Sequence, residues 1–152
     1  MVSFRQMRMR TNVDGFHAHH LIPKQVARHR YFAQFMVDLR RAGLNLDDFE
    51  GNGIYLPYSE RLGEIFQLPV HRGAHPQYNA MVSHHVAGMM HLPIEAALPA
   101  MRLLQQQLRG GLRSADTSRE ELTRNPMSTG LEADMDIIGL LGDRRARIVR
   151  IS

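Results

Sequence analysis

The stretch Phe16-His17-Ala18-His19-His20-Leu21-Ile22-Pro23-Lys24 sets three imidazoles within four positions. Rings this close repel one another when charged and pack poorly when neutral, so they want a holder, and the usual holder is a metal ion. Two further candidates, His71 and His75, stand four residues apart, the spacing at which two imidazoles on one helix face converge on one ion. Gly73 and Pro76 put only His75 on the first turn of the helix that follows, with His71 just before it. Neighbouring residues of a strand point to opposite faces, so His19 and His20 cannot both chelate one ion from regular strand geometry. One ligand and one histidine facing a substrate is a division that suits phosphodiester hydrolysis. The ion takes the phosphate oxygens while a neutral imidazole draws a proton from the attacking water. Asn52, between Gly51 and Gly53, fits a tight turn whatever the function. It is also placed to orient that histidine or to bind the metal through its amide oxygen, and the sequence leaves these open. Arg72 flanks the same cluster and is positioned to hold phosphate, or is a solvated loop residue.

Composition limits what else these residues can be. Cysteine is absent, which removes disulfides, thiolate zinc sites and cysteine nucleophiles, and fits a reducing compartment. There is no HExxH metalloprotease motif, and Leu21 and Ile22 fill the places that an HxHxDH motif needs. The 152 residues, 43% hydrophobic and 22% charged, describe one globular domain. No run approaches the roughly 18 apolar residues of a membrane span, and the N-terminus has no secretory core. The net charge is +4, and the 19 basic residues include a single lysine, Lys24. Arginine forks onto phosphate oxygens, so this balance permits a polyanionic partner, although a codon bias toward arginine accounts for it equally well.

The elements that must position the histidines follow from periodicity and breakers. Residues 1–15 read as a basic arm ending in the turn Asp14-Gly15. Residues 16–22 read as a strand running to Pro23, which suits the start of a helix to Ala42, stopped by Gly43. Residues 44–53 read as loop, and Ile54-Tyr55-Leu56 as a short strand cut off by Pro57, followed by an irregular stretch to His71. Tyr78, Met81, Val82, His85, Val86 and Met89 fall on one helical stripe begun by Pro76. In this pattern Tyr78 and His85 are core residues, His17 lies at the surface beside the site, and His84 and His91 lie outside it. A further helix covers about 93–109, bent at Pro99 and ended by Gly110-Gly111. Ser118 and Glu121 have capping-box spacing, and Arg147–Ile151 read as a terminal strand.

Three blocks in order, AHHLIP (18–23), NGIYLP (52–57) and HRGAHPQYN (71–79), resemble the AHH nucleases, a branch of the HNH superfamily with the ββα-metal fold. The resemblance covers roughly residues 16–90. It implies that His19 is a metal ligand and His20 the general base, that Asn52 is the central asparagine, and that His71 and His75 are the histidines of the closing helix. It also implies a toxin module of a bacterial polymorphic toxin with a neutralising immunity protein. The expected architecture is thus α+β but predominantly α. A small ββα-metal core at 16–91 follows the arm and is surrounded by helices, with a helical extension at 92–152 packed on it. The expected function is a metal-dependent endonuclease acting on DNA in preference to RNA, with no membrane partner. It would use one divalent ion (Zn, Ni, Mg or Mn), the nitrogen donors leaning toward a transition metal. Such a protein would be cytoplasmic in its producer, or secreted to act in a target-cell cytoplasm. Two other readings share the residues: a binding or adaptor module with a closed structural zinc site, and a phosphodiesterase for small molecules.

Overall fold

The computed structural model describes residues 2–10, 15–71 and 76–113. Its one sheet is an antiparallel pair, β1 (Phe16–His20) and β2 (Gly53–Pro57), with His19 opposite Ile54 and His20 opposite Gly53. Both strands are edges, so Pro57 costs no ladder hydrogen bond that an inner strand would need. β1 stops at His20, two residues short of the expected end, because Leu21 and Ile22 turn down into the core with no exposed surface.

Around the sheet the chain is helical. The expected basic arm contains a helix, α1 (Phe4–Arg10), and the reason is Phe4, which is buried at 2% exposure and anchors the segment. A Ser3–Asp48 bridge and the bond from Phe4 N–H to Asp47 O (3.0 Å) strap it down. The expected single helix from Pro23 to Ala42 is broken into α2 (Lys24–Ala27), a 3-10 turn (Arg30–Phe32) and α3 (Ala33–Arg41). The break sits at His29, whose Nδ1 accepts from Tyr31 N–H at 3.3 Å and starts the turn afresh. α3 ends as expected: Gly43 takes φ +104°, its N–H bonds Arg40 O, and Leu44 N–H bonds Leu39 O, the Schellman pattern.

Two helices stand where loop was expected. The four-residue α4 (Phe49–Asn52) is capped by Asp48, whose carboxylate accepts from Gly51 N–H. α5 (Glu60–Phe66) is capped by Ser59. It escaped the sequence because it buries only Gly63 and leaves Ile65 and Phe66 more than half exposed, so it has no apolar stripe to read. α6 (Pro76–Met89) buries the six residues of its expected stripe.

α7 (Ile94–Arg113) runs unbroken through Pro99 and past Gly110 and Gly111. Pro99 lies near its start on the exposed side, while Ala97, Ala100, Met101, Leu104, Leu108 and Leu112 form a buried stripe along its length. Continuous burial on that face outweighs the intrinsic cost of the glycines, about 1 kcal/mol each. One apolar cluster extends from Leu21 to Leu112 and takes in residues of β2, α3, α6 and α7. The fold is therefore mostly helical with a two-stranded sheet, α+β in class. No helix among the described residues is long and apolar enough to cross a membrane. The capping box at Ser118–Glu121 and the strand at 147–151 lie outside the described residues.

Candidate active site

The sheet register decides which histidines meet. His17 and His19 share one face of β1 and His20 the other. On the first face, His71 is brought in by its own backbone: its N–H donates to Pro57 O at 2.7 Å, which ties it to the end of β2. The His19 and His71 ring centres stand 5.0 Å apart, and those of His17 and His71 stand 5.8 Å apart. His19 is buried at 8% exposure, with the Tyr78 ring 5.2 Å away. The Tyr78 hydroxyl donates to Leu21 O at 2.7 Å, and burial raises its pKa well above the ordinary phenol value. Tyr78 is thus a core residue whose polar end fixes the turn after β1.

An ion bound by imidazole nitrogens at roughly 2.0–2.1 Å with tetrahedral angles puts two ring centres about 5 Å apart. The separation of His19 and His71 fits that requirement. Among the described residues no three His, Cys, Asp or Glu side chains converge on a metal position. His75 and Arg72 lie in residues 72–75, outside the described ones, so the structure brings together two of the three expected ligands and leaves the position of the third open.

On the opposite face, His20 lies flat against Phe4, with ring centres 3.5 Å apart and planes within 5°. Phe4 in turn meets the Phe49 ring edge-on at 5.1 Å. One face of the imidazole is thereby covered by α1. His20 is also among the residues lining a cleft of about 630 Å³ between α2 and residues 43–47, and its Nε2 is buried. No histidine other than His20 borders that cleft.

Asn52 is fully buried. Its Oδ1 accepts from Ile22 N–H (2.8 Å) and from Gln105 Nε2 (3.1 Å), and its Nδ2 donates to Ile22 O (3.2 Å) and Leu46 O (3.0 Å). Its main-chain oxygen also accepts from Leu21 N–H at 2.8 Å. Those four side-chain bonds use both lone pairs and both protons of the amide. Asn52 therefore bears on the histidines through the backbone it holds: it pins the two residues that follow His20.

Three residues that complete this arrangement were not singled out in the sequence. Phe4 gave no signal beyond being an aromatic in a basic segment. Gln105 is the one polar side chain buried on the stripe of α7, and that interruption was visible as a polar residue among apolar ones. Arg109, four residues on, donates from one guanidinium nitrogen to the backbone oxygens of Glu50, Gly51 (3.2 Å) and Gly53 (3.3 Å). Burial and then the neighbouring Arg113 lower its pKa, and Asp48 opposes them. Together Gln105 and Arg109 staple α7 to the turn that carries Asn52.

Residues 4–107 match the model of the AHH family, a nuclease family of the HNH/ENDO VII superfamily with conserved AHH. The matched span begins at Phe4 and runs through most of α7, and the AHH triplet falls on Ala18-His19-His20. No curated protein and no solved structure matches the chain.

Proposed function

The chain belongs to the AHH nuclease family of the HNH/ENDO VII superfamily, and from that premise we propose that it is a metal-dependent endonuclease that hydrolyses DNA with little sequence preference. Nucleases of this superfamily generally use a divalent metal. One observation carries the reading: the ring centres of His19 and His71 stand 5.0 Å apart, the separation two imidazoles take on one ion, and His20 follows His19 directly in β1. A bound divalent ion would polarise the scissile phosphate and stabilise the charge that develops on it.

The protein's own groups divide the remaining work. His19, His71 and His75 hold the ion through neutral imidazole nitrogens, a donor set that favours Zn, Ni or Mn over Mg. His20 accepts the proton of the water whose oxygen forms the new P–O bond. The old P–O bond breaks and its oxygen takes a proton from solvent to leave as a hydroxyl, so one strand end carries phosphate and the other an alcohol. Phe4 fixes the plane of the His20 ring, and Asn52 fixes the backbone beyond it. Arg72 contacts the backbone phosphate, a contact without sequence information. The family setting further supports a bacterial toxin effector with a cognate immunity protein, delivered from a producing cell into a target cytoplasm.

The test is incubation of supercoiled plasmid and of folded RNA with purified protein, in EDTA and with Zn, Ni, Mn or Mg restored singly. Nicking that requires added metal supports the reading. Intact plasmid and RNA in every metal, together with tight stoichiometric zinc binding, would replace it with a structural zinc site.

A further inference from the structure

The cleft beside His20 carries more charge than the catalytic reading uses. Its walls include Lys24 and Arg28 from α2 and its C-cap, and Arg40 from the last turn of α3, with Asn45 and Asp47 at its other side. Lys24 and Arg28 are four residues apart, one turn of helix, so both project to the same side. His20, at the end of β1, lines the same cleft as these two cations. Arg40, from the end of α3, lines it too. All three cations are exposed. Among the described residues no ion pair joins Lys24, Arg28 or Arg40 to a carboxylate, even though Asp47 borders the same cleft.

We propose that this cleft is the track for the phosphodiester backbone of one nucleic-acid strand, held by Lys24, Arg28 and Arg40 and passing the His20 imidazole. The inference rests on the nuclease reading and adds to it the surface that binds substrate. Three cations within one concave surface focus a positive potential that solvated cations on a convex surface do not. The volume of about 630 Å³ falls among clefts that take drug-sized molecules, roughly 300–1,000 Å³. That is room for a short run of one strand's backbone and too little for a duplex, so a duplex would present a single strand to it. Backbone cations contact phosphate alone and so add affinity without sequence preference.

The experiment is fluorescence anisotropy in EDTA, where no cleavage occurs. Labelled duplex DNA, single-stranded DNA and RNA are titrated with wild type, with the triple variant K24Q/R28Q/R40Q and with the control R61Q/R102Q. Arg61 and Arg102 are exposed cations outside the cleft, so the control removes charge without touching it. Wild-type cleavage of supercoiled plasmid is measured separately with metal. The triple variant is expected to bind roughly tenfold more weakly and to lose about 2–3 units from the slope of log affinity against log salt, while the control changes little. Loss on every polymer indicates shared backbone chemistry, and loss on one identifies the substrate. Equal binding by the triple variant and the control overturns the proposal. Absence of metal-dependent plasmid cleavage by wild type overturns the nuclease reading instead, and the binding comparison still decides the cleft.

Discussion

At the residue scale, Asn52 shows how one buried side chain bears on its neighbours through the backbone it holds. Its buried amide bonds the backbone of Ile22 in both directions, the carbonyl of Leu46 and the side chain of Gln105. An Asn52→Asp protein keeps the two accepted bonds but turns an anion toward the carbonyls of Ile22 and Leu46, which then lose their donor. Leaving buried acceptors unsatisfied costs about 1–3 kcal/mol each, so chemical denaturation should show a loss of roughly 3 kcal/mol. A variant as stable as wild type would mean that the clamp contributes little. The sequence brought out Asn52 because it lies in a Gly-Asn-Gly turn, yet its partners were hidden. Two of them are backbone atoms 30 residues back and one is a helix residue 53 residues on, and no local pattern encodes such pairs. The Phe4–His20 stack was hidden for the same reason.

At the scale of elements, legibility tracked burial. α6 was readable because six of its side chains sit on one buried stripe, and the end of α3 because Gly43 supplies a left-handed residue that a Schellman cap needs. α5 was not, since its apolar residues face outward. The α2–α3 region was read as one helix because its apolar spacing continues across the break, which a single side-chain cap at His29 creates. The buried stripe of α6 also holds His85, at 8% exposure, whose Nε2 has no hydrogen-bond partner among the described residues. Desolvation, and secondarily the neighbouring His84, lower its pKa below the ordinary 6.5. In the unfolded chain His85 takes up a proton as pH falls through about 6.5, whereas the folded protein resists doing so. Its contribution to stability is therefore intact above that pH and lost as pH drops toward the lower folded value. A His85→Met protein should lose less melting temperature than wild type between pH 7.5 and pH 5.5. An equal loss in both proteins would assign the acid sensitivity to other groups.

At the scale of the whole molecule, β1 and the segment tied to the end of β2 supply His19, His20 and His71, and α7 braces the turn behind them. Gln105 and Arg109 reach the Asn52 turn from a helix that the three sequence blocks do not include, and the family match runs to residue 107. A single core spans both parts, so occupation of the His19–His71 site should be felt globally. A ligand that binds only the folded state at 100 times its Kd adds about 2.7 kcal/mol of stability, a shift of about 4–8 °C for a domain of roughly 100 residues. Thermal unfolding with zinc or nickel should show such a rise in wild type, and His71→Ala should abolish it. An undiminished rise in that variant would move the ion elsewhere.

In the proposed division of labour along β1, His19 binds the ion and His20 moves the proton. The most direct measurement pairs plasmid cleavage with calorimetric metal binding for His20→Ala. The expected result is metal affinity within about twofold of wild type and cleavage slowed by roughly 10²–10⁴, the usual contribution of a positioned general base. Cleavage at the wild-type rate, or loss of metal binding together with activity, would contradict it.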